Sequence, residues 1–163
     1  MVPENFIRSN LEGIPFVGPE IILTAAIIIL LIVGVILPYW RHRLVFTVLA
    51  LLGLAGSRLP LWKLPTPQPN LTYLSALFVW DWLTFFFKPF FVVAGGFVIL
   101  LTQGSSEIDN VEYSECVVLV LAVTMGMMLL VAATDLLMIF LAFETMGILS
   151  YLLVGMRACL LYT

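Results

Sequence analysis

Charged residues are scarce in this 163-residue sequence, at 10% of the total against 63% for hydrophobic residues. With a mean hydropathy of +1.16, a water-soluble globule would have too little polar surface to cover its apolar residues. The seven basic residues are scattered and the formal net charge is -3, so the positive patch that nucleic-acid binding requires is lacking. The composition therefore predicts an integral membrane protein that binds no nucleic acid.

Residues that hold redox groups and metals are also few. The single histidine, His42, cannot supply the paired axial ligands of a b-type haem, and Cys116 and Cys159 form no Cys-x-x-Cys pair. The sequence has no phosphate-binding glycine loop, dinucleotide fingerprint or nucleophile elbow. We therefore expect no redox centre, metal site or other cofactor site on this chain.

Long apolar runs organise the sequence, and crossing a bilayer core takes roughly 20 apolar helical residues. Two polar segments interrupt the runs: a proline-rich loop at 60–70, which we expect to be extended because proline disrupts helices, and an acidic loop at 103–115. These features predict an all-α polytopic protein with about five transmembrane helices and a single membrane domain over 1–163. The predicted spans are residues 19–37, 44–60, 77–101, 116–133 and 136–155.

The last apolar block, at 116–156, is too long for one span. As a single helix it would reach roughly 60 Å at the usual 1.5 Å rise, about twice the bilayer core. Thr134 and Asp135 mark the expected turn, because both side chains can cap the start of a helix. Folding back at this turn places Glu144 roughly 12 Å along the last span, near the midplane of the membrane.

Glu144 is the first candidate functional residue. An ionised carboxyl buried at this depth costs several kcal/mol (roughly 2.5 or more) unless it is paired or protonated. Phe140, Gly147 and Tyr151 share its helix face, and the glycine leaves room for a partner side chain or water. We interpret Glu144 as a proton-relay residue; the alternative is a permanently protonated side chain that hydrogen-bonds a neighbouring helix.

Lys88, within the third predicted span, is the second candidate. It stands immediately before Pro89, which opens the helix backbone and gives polar groups a place to bind. Asp81 shares the helix face of Lys88 but is too far along the axis for a direct pair. Lys88 is either a second relay residue or a side chain that extends towards the lipid headgroups.

Four segments of the sequence stand out: Asp81-Trp-Leu-Thr-Phe-Phe-Phe-Lys88, Glu112-Tyr-Ser-Glu115, Asp135-Leu-Leu-Met-Ile-Phe-Leu-Ala-Phe-Glu144 and Ser150-Tyr-Leu-Leu-Val-Gly155. Together they resemble the amino-terminal region of subunit N of NADH-quinone oxidoreductase, respiratory complex I. That subunit corresponds to subunit 2 of the mitochondrial enzyme and to the B-type subunit of the chloroplast relative. It is an antiporter-like subunit of about fourteen helices, so this chain would be a partial version of it.

The resemblance implies a role in proton translocation coupled to quinone reduction. In that family the glutamate of the fifth span pairs with a lysine of the seventh, and Glu144 is the matching position here. The sequence stops before that lysine, so we expect no complete proton path from these residues alone. The quinone and NADH or ferredoxin would be used elsewhere in the complex.

The resemblance also implies partners and a location. The partners would be the other membrane subunits of a hetero-oligomeric complex I, together with lipids. We expect the protein to lie in a bacterial plasma membrane, with a mitochondrial inner membrane or a thylakoid membrane as the alternative. Two other functions stay open from the sequence: a structural membrane subunit without proton work, and a subunit of a multisubunit cation/proton antiporter.

Overall fold

Five long helices make up the chain in a computed structural model, which describes residues 14–36, 43–63, 67, 72–73, 77–104 and 110–161. Each helix contains a stretch long and apolar enough to cross a membrane. The prediction of an all-α polytopic protein is therefore confirmed. The helices are α1 (Gly18–Ile36), α2 (Arg43–Lys63), α3 (Trp82–Gln103), α4 (Asn110–Ala132) and α5 (Leu136–Leu161).

The helix starts follow from local sequence. A short 3-10 turn, Ile14–Val17, leads into α1, whose first turn contains Pro19 and Glu20; proline suits this position and an acid is favoured by the helix dipole. Asp81 caps α3, because its Oδ1 accepts a hydrogen bond of 2.8 Å from the backbone N–H of Thr84. Helices α1 and α3 therefore begin with residues that satisfy or complement their free N–H groups.

Two predicted loops are shorter than expected. Helix α2 continues through Pro60 to Lys63, whereas the sequence predicted a loop from residue 60; proline removes one hydrogen bond there, and the helix ends one turn later. Helix α4 begins at Asn110, inside the predicted 103–115 loop, because acidic residues are favoured near a helix amino terminus. His42 and the rest of the 60–70 loop, apart from Pro67, lie outside the described residues.

Helix α4 is the centre of the bundle and packs against each of the other four helices. Helices α1 and α2 approach closely, because a Cβ added at Gly53 would lie only 2.6 Å from the Cβ of Ala26. The buried core consists of aliphatic and aromatic side chains from α1 to α4; its largest fully buried hydrophobic members in these helices are Tyr113, Phe46, Leu23, Leu30, Ile99, Leu121, Met128 and Val117.

A small hairpin, which the sequence analysis did not anticipate, precedes α3. Its strands β1 (Thr72–Tyr73) and β2 (Phe78–Val79) pair antiparallel. Phe78 also bridges Ala133, and the backbone N–H of Thr134 donates to the carbonyl of Leu77 at 3.1 Å. These contacts join the segment before α3 to the turn between α4 and α5, so the start of α5 is held in place by backbone hydrogen bonds.

Candidate functional site

Glu144 lies roughly 12 Å along α5 from Leu136, near the middle of the span. Its side chain is exposed in the structure, and so are those of Phe140 and Tyr151 on the same face. A Cβ added at Gly147 would meet no atom within 4 Å. Glu144 therefore lies on an open face of the described bundle, and its role as a proton-relay residue stays a prediction.

The orientation of α5 follows from how it packs on α4. A Cβ added at Gly126 of α4 would lie 2.8 Å from the Cγ of Met146, and Ala142 is buried at the same interface. Small residues let two membrane helices approach in this way. Because a helix turns about 100° per residue, Glu144 lies about 200° from Ala142 and points away from α4.

Helix α5 is the least covered of the five spans. Only 6% of its span Leu136–Met156 is buried, against 28% to 39% for the other four spans. A carboxyl at mid-depth on such a face is costly in lipid unless another group pairs with it or it is protonated. The open face of α5 is defined as the side that contains Phe140, Glu144, Gly147 and Tyr151, and none of the described residues covers Glu144 there.

Lys88 is in a different environment, because it is 2% exposed inside the bundle. Its Nζ lies 2.8 Å from Oε1 of Glu20 and donates to the backbone carbonyl of Phe16 at 3.1 Å. The same Nζ lies 5.7 Å from the centroid of the Trp80 ring, within the range of a cation–π contact. Lys88 is therefore paired inside the chain, and its side chain does not extend to the headgroups.

Glu20 is the functional candidate that the sequence analysis missed. Its side chain is 5% exposed, and its Oε2 has no hydrogen-bond partner within the part of the chain that the structure describes. The order of the spans indicates that Glu20 and Lys88 can meet, because odd-numbered spans begin on the same face of a membrane. An acid near the start of the first span and a base near the start of the third therefore lie at similar depths.

The structure does not bring the two predicted site residues together. Lys88 is enclosed with Glu20 between α1 and α3, whereas Glu144 lies on the open face of α5. Asp81 does not pair with Lys88 either, since its carboxyl caps α3 at Thr84. The described residues thus contain two separate acidic sites, one paired and enclosed and the other open.

A third polar cluster lies at the opposite end of the bundle. The hydroxyls of Thr47 and Tyr113 are 2.6 Å apart, and both residues are buried. The guanidinium of Arg43 lies 5.6 Å from the centroid of the Tyr113 ring. This cluster joins the amino-terminal ends of α2 and α4 and stabilises their packing. Among the described residues, no group of three or more His, Cys, Asp or Glu side chains is arranged to hold a metal ion.

Five membrane-length helices, with an ion pair inside the bundle and a carboxyl on an outer face, define a polytopic membrane protein. No protein-family model matches the chain, and no solved structure does. Curated relatives do match. The NADH-quinone oxidoreductase subunit N of Chlorobium chlorochromatii (strain CaD3) is 30% identical over 154 residues, which is 93% of this chain and 30% of the relative.

Two further relatives agree with this match. The subunit N of Trichlorobacter lovleyi is 32% identical over 84% of this chain and 28% of its own length. The chloroplastic NAD(P)H-quinone oxidoreductase subunit 2 of Chlorokybus atmophyticus is 34% identical over 84% of this chain and 26% of its own length. The chain is thus a homologue of these subunit N and subunit 2 relatives, and it spans between a quarter and a third of their length.

Proposed function

We propose that this chain is part of a membrane-arm subunit of an NAD(P)H- or ferredoxin-quinone oxidoreductase and takes part in proton translocation coupled to quinone reduction. The names of its relatives and its five membrane-length helices support this proposal. The donor and the quinone react elsewhere in the complex, and this chain contributes no redox centre. Its partners are the other membrane subunits and lipids, in a bacterial plasma membrane.

The observation that carries the proposal is the position of Glu144. The carboxyl lies at mid-span on the open face of α5, and no described residue covers it. Segments of the complete subunit cover this face and supply a cationic or hydrogen-bonding partner, since an unpaired carboxylate is too costly at this depth. In this proposal Glu144 passes protons to and from that partner.

Lys88 is the second residue to which we assign a role in proton transfer. It is an amine enclosed in the membrane part of the protein with one acid beside it, Glu20. Such a pair changes its charge when a proton arrives or leaves, and the electric field of that change acts over a longer range in a low-dielectric medium than in water. Lys88 therefore serves as a separate relay residue from Glu144.

The test is Glu144→Gln in the complete subunit, within its membrane complex. Proton translocation is measured by dye quenching in inverted vesicles, alongside the rate of quinone reduction and the amount of assembled complex. We expect proton translocation to be largely lost while the complex still assembles, because glutamine keeps the shape of glutamate but cannot exchange a proton.

The matched control is Glu115→Gln, which makes the same chemical change at an exposed position near the start of α4. It is expected to leave proton translocation unchanged. Wild-type proton translocation in Glu144→Gln would refute the relay role and favour the alternative of a structural membrane subunit.

A further inference from the structure

The Glu20–Lys88 pair has hydrogen-bonding capacity that the surrounding protein does not use. A carboxylate offers about four acceptor positions and an ammonium three donors. Nζ donates a hydrogen bond to the carbonyl of Phe16 and forms an ion pair with Oε1 of Glu20, while neither Glu20 oxygen has a hydrogen-bond partner among the described residues, and Oε2 is not in ion-pair contact either. A charged oxygen enclosed without a hydrogen bond is strongly unfavourable. The smallest donor that satisfies it is a water molecule.

The pair lies near one face of the membrane. Glu20 is roughly 3 Å along α1 from its first residue, and Lys88 is roughly 9 Å along α3. Both helices begin at this face, where the ring of Phe16 contacts that of Trp80 at 5.8 Å. Water therefore has only a short distance to cover from the headgroup region to Oε2.

The backbone next to Lys88 provides further polar groups. Pro89 has no N–H, so the carbonyl of Phe85 lacks the usual helical donor. The carbonyl of Pro89 accepts a hydrogen bond of 3.1 Å from Nη2 of Arg58 on α2. Open backbone of this kind is tolerated in membrane helices where polar groups or water satisfy it.

We propose that Glu20 and Lys88 form a hydrated proton-exchange site at this membrane face, with a water molecule bound to Oε2 of Glu20. The proposal rests on the proposed function and deepens it. In the exchange, the Lys88 ammonium gives a proton to Oε1, which leaves a neutral amine and a carboxylic acid. The Glu20 acid then releases a proton to the bound water, and the Lys88 amine takes up a proton from the hydronium ion that forms. The ion pair is thereby restored with no net change in protons.

Other charged groups near this face have separate roles. The carboxyl of Asp81 caps α3, the guanidinium of Arg58 is bound to the Pro89 carbonyl, and Asp135 is exposed at the start of α5. Within the described ranges, Lys88 is the one cation in ion-pair contact with Glu20. Exchange at this site therefore depends on these two side chains and the water between them and the membrane surface.

The decisive variant is Lys88→Arg in the complete membrane complex. Arginine preserves the positive charge and the ion pair, but its guanidinium does not give up a proton in proteins. A merely structural pair tolerates this change, whereas a proton-exchange site does not. We expect the complex to assemble and reduce quinone in uncoupled membranes, with loss of proton translocation. Wild-type translocation by Lys88→Arg would overturn the proposal.

A second variant and a direct observation cover the case in which arginine does not fit. The double variant Glu20→Gln/Lys88→Gln keeps two polar side chains in contact and removes both exchangeable charges; it should also assemble and lose translocation, and normal translocation would overturn the proposal. In a high-resolution structure of the wild-type complex, we expect water density within hydrogen-bond distance of Oε2. A well-ordered site with no such density would overturn the proposal without any variant.

These outcomes are independent of the test of Glu144. Loss of translocation in Glu144→Gln with normal translocation in Lys88→Arg would retain the proposed function with Glu144 as its relay residue, and would eliminate both the relay role of Lys88 and the exchange site. Normal translocation in both variants would eliminate both. The water density at Oε2 tests only the Glu20–Lys88 site.

Discussion

The close approach of α1 and α2 predicts that Gly53→Ala destabilises the chain. The new Cβ would lie 2.6 Å from the Cβ of Ala26, whereas carbon atoms in contact prefer a separation of about 3.5–4.0 Å. Both atoms are attached directly to helix backbones, so no side-chain rotation relieves the overlap. The two helices must move apart by roughly 1 Å, which loosens the packing around the buried side chains of Leu23 and Ala50.

The expected loss of stability in Gly53→Ala follows from two opposing effects. Overpacking of a core costs about 1–3 kcal/mol, and a contact between two atoms that cannot rotate away belongs near the upper end. Replacing glycine by alanine inside a helix contributes about 1 kcal/mol of stabilisation. We therefore expect the free energy of unfolding to fall by about 1–2 kcal/mol. The assay is unfolding of the chain in mixed detergent micelles, followed by far-ultraviolet circular dichroism.

The controls separate packing from helix propensity. Gly147→Ala adds a Cβ that meets no atom within 4 Å, so it should stabilise the chain by up to about 1 kcal/mol. The double variant Ala26→Gly/Gly53→Ala restores the space and should recover most of the loss. Equal or higher stability of Gly53→Ala than of wild type would show that the helices are farther apart than the structure has them.

Three further outcomes are expected. Asp81→Ala should lower the free energy of unfolding by about 0.5–2 kcal/mol, because the Thr84 N–H loses its capping acceptor; Asp81→Asn should retain most of the stability in the same micelle assay. Tyr113→Phe should cost about 0.5–1.5 kcal/mol in that assay through loss of the buried contact with Thr47, and wild-type stability would exclude a stabilising hydrogen bond. Gly147→Leu should leave the isolated chain at least as stable as wild type but reduce co-purification with the complex, because the open face of α5 is then obstructed; full co-purification would indicate that nothing covers this face.

Much of the fold is predictable because lipid imposes a simple rule on sequence. Helices must satisfy all their backbone groups within the hydrocarbon core, so run length alone predicts spans. The sequence predicts a turn at Thr134 and Asp135. In the structure, α4 ends at Ala132 and α5 starts at Leu136, on either side of these two residues. Helix ends near polar segments are less predictable, since α2 tolerates Pro60 and α4 begins within an acidic stretch.

By itself, the sequence determined that the chain is a helical membrane protein with five spans, and it singled out Glu144 and Lys88 as costly charges. It did not determine which way these side chains face. Helix α5 is apolar nearly all round, so its composition does not indicate which side faces the bundle. The rotation of α5 about its axis is set by the contact between Gly126 of α4 and Met146. Only the tertiary structure therefore shows that Glu144 faces outwards and that Lys88 pairs with Glu20, because both features depend on contacts between different helices.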